Sequence, residues 1–185
     1  IGGVIQSSNE MVEPGVVVNE SPGANTLHIG WADDREVGAV ADLRALLERA
    51  QIKSPANGDI RYAIWRKLAI NMTASVMCLI TGQRATIIRD DAEIAELYGT
   101  LIVEAHAIAA AHGVRLSAAD PENFRRNAPD HLPSIRQDYD RGRVLETEAI
   151  ISAPMSFARA AGVTVPHLET IAAIALRMAR DRAAG

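Results

Sequence analysis

The stretch from about Asp59 to Ile80 constrains the fold more than any other. Read as a helix, it sets Tyr62, Trp65, Leu68, Ala69, Met72, Val76 and Leu79 on one broad apolar face. Ile64, Ile70, Ala74 and Cys78 flank that face, so most of the circumference is apolar. Such a helix is buried, and other elements must cover it. One polar line breaks the pattern. Lys67, Asn71 and Ser75 follow one another at i, i+4 and i+8. A lysine buried without a partner is costly. Either Lys67 snorkels to solvent and Asn71 caps a loop, or the line faces a cleft.

The covering elements are legible downstream and upstream. "DDREVGAVADLRALLERAQI" has an acidic start and spaces Val37, Val40, Leu43 and Leu47 as a helix does. "SPANGD" ends it, and Thr81-Gly82 closes the long apolar helix. A further helix is expected from about Asp90 to His112, with Ile94, Leu97, Leu101, Ala105 and Ile108 as its stripe and Gly113 as its stop. "SAADPENFRRNAPDHLP" reads as short helical turns and loop, and "SIRQDYDRG" as a short helix. Longer helices are expected over about Val144–Ala161 and Val165–Ala183, the second with Pro166 in its first turn. Six or seven helices make this an all-α domain. With aromatics at only 4%, its core must be built from Ala, Leu, Ile, Val and Met.

The first thirty residues differ. "GGVIQSS", "GVVVNE" and "TLHIGWA" are short β-branched runs separated by the turn compositions "EPG" and "SPGAN". Three such strands form a small antiparallel meander. They bury too little apolar surface to stand alone, so they belong to a larger sheet. The chain opens IGGVIQ without Met, which reads as a piece of a longer polypeptide. The expected division is 1–32 for remnant strands and 33–185 for the helical domain.

Composition excludes some functions. A net charge of −4 gives no reason to expect nucleic acid or an anionic membrane surface. No apolar run approaches the roughly 20 residues that span a bilayer. The single cysteine, Cys78, allows no intrachain disulfide and fits a reducing, cytoplasmic compartment. His28, His106, His112, His131 and His167 form no metal-ligand pattern, and no metal is expected. GxSxG, HExxH, CxxC and GxGxxG are all missing from these residues. A second polar cluster lies in "PSIRQDYDRGRVLETE", where Ser134, Asp138, Glu146 and Glu148 flank "RGR". Taken alone it reads as a solvated loop and a helix start, with Glu146 suiting the helix dipole.

Taken together, the two clusters resemble a known family. Trp65-Arg66-Lys67-Leu68-Ala69-Ile70-Asn71 matches W-x-K-L-x-x-N of the ketopantoate (2-dehydropantoate 2-) reductases. Ser134-Ile135-Arg136-Gln137-Asp138, then Gly142-Arg143-Val144-Leu145-Glu146-Thr147-Glu148, resembles their S-M-x-Q-D…G-R-x-T-E-I-D. Gly162-Val163-Thr164-Val165-Pro166 matches the closing G-V-x-x-P, and the opening strands resemble the last strands of the nucleotide-binding domain. The resemblance implies an all-α bundle like the C-terminal domain of 6-phosphogluconate dehydrogenases, preceded by a short antiparallel β meander left from a truncated Rossmann domain. It implies NADPH-dependent reduction of a 2-oxo acid, most directly 2-dehydropantoate in pantothenate biosynthesis. By the same resemblance Lys67 is catalytic, and Asn71, Ser75, Ser134 and Glu146 bind substrate. The glycine-rich cofactor loop lies outside this chain, so the fragment alone is expected to be inactive. Ser75 stands where the family carries a second asparagine, which puts the contact to the substrate's 4-hydroxyl in question. A related reductase acting on another 2-oxo or hydroxy acid is therefore the nearest alternative. A different class of reading is a non-catalytic helical module that dimerises through Ala-rich stretches such as "EAHAIAAAHG", and a homodimer fits the reductase reading too.

Overall fold

The structure is a computed structural model that describes residues 1–19, 23, 25–31, 33, 38–56, 58–128 and 130–184. It is mostly helical, preceded by short antiparallel strands. The residues divide into two compact units, Ile1–Lys67 and Leu68–Gly185.

In the first unit, β1 (Gly2–Gln6) pairs antiparallel with β4 (Thr26–Gly30), and β2 (Asn9–Glu13) with β3 (Val16–Asn19). Four strands form where three were expected. The extra one, β2, starts within the polar stretch "SSNE" and is completed by Met11 and Val12. Pro14-Gly15 then turns the chain back, with Gly15 at φ +85°. Val16, Val17 and Val18 of β3 are all exposed, so this outer hairpin buries almost nothing of its own. Helix α1 (Gly38–Arg49) packs on β4, burying Val40 while Arg44 donates to the Ile29 carbonyl at 3.0 Å. The expected start of that helix at residues 34–37 lies outside the described residues. Leu27 N–H bonds the Lys53 carbonyl at 2.8 Å, and Ser54 returns a bond to the Leu27 carbonyl at 2.7 Å.

The long apolar helix forms as expected, from Ile60 to Thr81, but not as one regular α-helix. Helix α2 (Ile60–Ile70) is followed by a π-helical turn, π1 (Asn71–Ser75), and then by α3 (Val76–Thr81). The even i, i+4, i+8 line of the sequence is corrected here. A π turn closes i→i+5 bonds, which rotates the residues after it backward relative to α spacing. Gly82 ends the run at φ +73°.

Within the second unit, further helices pack on π1 and α3. The elements after α3 are α4 (Ile87–Asp90), α5 (Ala92–Ala111), α6 (Asp120–Arg126), α7 (Ser134–Asp140), a second π turn π2 (Glu148–Ser152), α8 (Ala153–Ala160) and α9 (Pro166–Ala184). Asp91 caps α5 by accepting from Ile94 N–H at 3.0 Å. The expected helix at Val144 begins later, at Thr147, and Val144 is 93% exposed. Met77, Cys78 and Leu79 of α3, Leu101, Ala105 and Ile108 of α5, and Leu168 and Ala175 of α9 form the core. Alanines at these contacts let α3, α5 and α9 approach closely, which is how a core poor in aromatics fills its space.

The sequence offered no apolar run of bilayer length, yet two helices, Ile60–Thr81 and Ala92–Ala111, are long and apolar enough to cross a membrane. Their averages absorb the few charges. Both are core helices, and their deepest residues are fully buried against neighbours in this fold.

Candidate functional site

Lys67 occupies the last turn of α2 and is partly buried. Its Nζ donates to the main-chain carbonyl of Ile5, at the end of β1, at 2.7 Å. A neutral carbonyl orders the ammonium without neutralising it. The charge therefore stays available to an incoming anion.

Asn71 and Ser75 open and close π1. Asn71 is partly buried and Ser75 only 9% exposed. The residues between them, Met72, Thr73 and Ala74, are buried in the core, so the backbone of the turn is fixed from below. Two distant stretches of chain pack on this turn within the second unit. One is α7, whose first residue is Ser134, and the other is π2, which begins two residues after Glu146. Ser134 and Glu146 are both exposed. Among the described residues, no hydrogen bond or ion pair uses the side chains of Asn71, Ser75, Ser134 or Glu146.

Three arginines to which the sequence assigned no site role hold this arrangement. Arg136 donates to the Leu79 carbonyl in the last turn of α3 at 3.2 Å and bridges Asp140 at 2.6 Å. A cation on terminal carbonyls is favourable at a helix C-terminus. That bond ties α7, whose first residue is Ser134, to α3. Arg143 N–H bonds the Asp138 carbonyl at 2.8 Å, and its guanidinium reaches the Asp138 carboxylate at 3.4 Å. This closes the loop that carries Glu146. Arg182 lies 5.7 Å from the centre of the Tyr139 ring, which Arg136 approaches at 5.4 Å. Gly142 adopts φ +68° under Arg182, and a Cβ there would come within 2.9 Å of the guanidinium. Gly142-Arg143 was visible as a motif, but Arg136 and Arg182 depend on tertiary approach that no spacing encodes.

The first unit holds a separate cavity of about 490 Å³ lined by Gln6, His28, Asp59, Tyr62 and Arg66 among others. Burial, and then the Arg66 charge, hold the His28 imidazole below its ordinary range. Among the described residues no three His, Cys, Asp or Glu side chains gather as a metal site.

The chain is similar to several known proteins. The ketopantoate reductase PanE/ApbA C-terminal family matches residues 59–179. A 2-dehydropantoate 2-reductase of Mesorhizobium japonicum is 27% identical over 98% of this chain, which spans 56% of that protein's length. The crystal structure of 2-dehydropantoate 2-reductase from Geobacter metallireducens GS-15 superposes with a TM-score of 0.86 at 25% identity, over 95% of this chain and 60% of that one. D-mandelate dehydrogenase, solved with NADH, shares the fold at a TM-score of 0.85 and 19% identity, over 97% of this chain and 62% of that one.

Proposed function

This chain belongs to the ketopantoate reductase family, and from that premise we propose that it is the substrate-binding and catalytic part of an NADPH-dependent 2-oxo acid reductase of the 2-dehydropantoate 2-reductase type. The observation that carries this reading is the packing of π1, with Asn71 and Ser75, against α7, which starts at Ser134, and π2, which begins two residues after Glu146. A substrate site assembled from distant segments needs that convergence, and a solvated loop does not.

Reduction of a 2-oxo acid turns the ketone into an alkoxide that must be stabilised and protonated. In this reading the Lys67 ammonium supplies positive charge and a proton at that oxygen. The Asn71 amide donates to the substrate. The Ser134 hydroxyl helps hold its carboxylate. Glu146 accepts from its hydroxyl. The dinucleotide itself does not fit the residues described here. They include no GxGxxG, and the strands pair as antiparallel ribbons rather than as a parallel sheet feeding a helix N-terminus. NADPH enters from the family alone, and this chain's residues act on the substrate.

The division at 32/33, with residues 1–32 as the end of a nucleotide-binding domain, belongs to the same proposal, as do a cytoplasmic setting and a homodimer. The test is NADPH oxidation by the polypeptide that joins this chain to its nucleotide-binding domain, assayed with 2-dehydropantoate and a panel of branched 2-oxo and hydroxy acids. Turnover is expected with 2-dehydropantoate and none from this chain alone. A preference for another 2-oxo acid would favour the second reading, which Ser75 supports. A serine reaches less far and makes fewer hydrogen bonds than asparagine. No turnover with any member of the panel would overturn the reductase proposal.

A further inference from the structure

The π1 turn has one polar residue that the substrate reading leaves without a task. Thr73 is the middle residue of the turn and is 0% exposed, surrounded by the apolar core. Its Oγ1 donates to the Ala69 carbonyl at 2.7 Å and lies 3.4 Å from the Ile70 carbonyl. Those two carbonyls sit at the join where the ladder passes from α to π spacing. Carbonyls at such a join change partners, because the N–H groups that would reach them in an α-helix are displaced by one residue. A threonine hydroxyl bonding back to the i−4 carbonyl is a donor that can take their place. A buried hydroxyl, in turn, must find an acceptor.

We infer that Thr73 is a positioning residue: its buried hydroxyl holds the π turn, and the π turn sets the directions in which Asn71 and Ser75 present their side chains. This rests on the substrate-binding role proposed for those two residues. Valine is the closest match to threonine in shape without the hydroxyl. In Thr73→Val the Ala69 carbonyl loses that donor, and the helix relaxes toward regular i→i+4 bonding. Residues after the join would then rotate, and Ser75 would no longer face where it does now.

The experiment pairs a crystal structure with steady-state kinetics, on the polypeptide that includes the nucleotide-binding domain. For Thr73→Val we expect α-helical bonding through 71–75 and a KM for the 2-oxo acid raised roughly tenfold or more, since small misplacements of binding groups are costly. The KM for NADPH should stay unchanged. Thr73→Ser keeps the hydroxyl, and it should keep the π turn and a KM near wild type. A π turn that persists in Thr73→Val overturns the inference, as does an unchanged KM once the turn is lost. Should Thr73→Val not fold, Thr73→Ser decides: a KM raised in it without loss of the turn would overturn the positioning role. Wild-type protein inactive on every 2-oxo acid would sink the functional reading instead, and the structures of the two variants would still decide whether the hydroxyl holds the turn.

Discussion

Cys78 shows how completely the central helix is enclosed. It is 0% exposed, and burial pushes its thiol up to about 11. A thiol that stays protonated and covered is inert. Disulfide reagents should label it only at the rate of unfolding, and labelling of the native chain at a free-thiol rate would contradict the packing. The sign of the pH effect follows. The folded chain holds this proton more tightly than the unfolded chain, whose thiol ionises near the ordinary value of 9.0. Stability is therefore complete below that pH and declines as pH rises toward 11, by about 2–3 kcal/mol in all. Urea midpoints for wild type and Cys78→Ala should converge between pH 8 and pH 10.5.

Among the elements, the junction of α5 and α9 is the most informative. Glu104 of α5, with its side chain 11% exposed, accepts from the His167 N–H at 3.2 Å and the Leu168 N–H at 2.8 Å, and it meets His167 Nδ1 at 2.7 Å. Two free donors at the start of α9 are capped by a carboxylate from a neighbouring helix. Glu104→Ala should cost about 1–3 kcal/mol in chemical denaturation, because it removes the cap and leaves the part-buried Leu168 N–H without its acceptor. A midpoint equal to wild type would show that solvent replaces the carboxylate at no cost. This stretch, "EAHAIAAAHG", is also the one whose alanines suggested dimerisation. Ala105, Ile108 and Ala109 face the chain's own core, so what remains for a partner is the outer face with Val103, 68% exposed.

The helix ends were legible for physical reasons. Gly82, Gly113 and Gly162 follow helices at positive φ, as their glycines implied, and Asp91 and Pro166 mark helix starts. The π turns were not legible, since a π turn uses the same residue types as the α-helix around it and is selected by packing. For that reason Lys67, Asn71 and Ser75 could be picked out as polar residues on a buried helix while their relative directions could not. The start of the helix after Glu146 was misplaced for a related reason: Val144 and Leu145 continue an apolar pattern, yet Gly142 and Arg143 hold that stretch in a loop. Strand β2 was missed because its first residues are polar and it is stabilised by its hairpin partner.

At the scale of the whole molecule, the fold and the family agree with the reading of the sequence, and the chemistry remains the proposal to be tested. The two clusters of sequence motifs lie some 60–80 residues apart, and the packing of α7 and π2 on π1 is what gives that separation meaning. The catalytic claim concentrates on Lys67, whose ammonium is ordered by a neutral carbonyl. The most direct measurement is kcat for 2-dehydropantoate with the polypeptide that includes the nucleotide-binding domain, comparing wild type with Lys67→Ala. Loss of the proton donor and the positive charge should lower kcat by about 10²–10⁴-fold with the far-ultraviolet circular dichroism spectrum unchanged. A folded Lys67→Ala protein turning over at the wild-type rate would contradict the account.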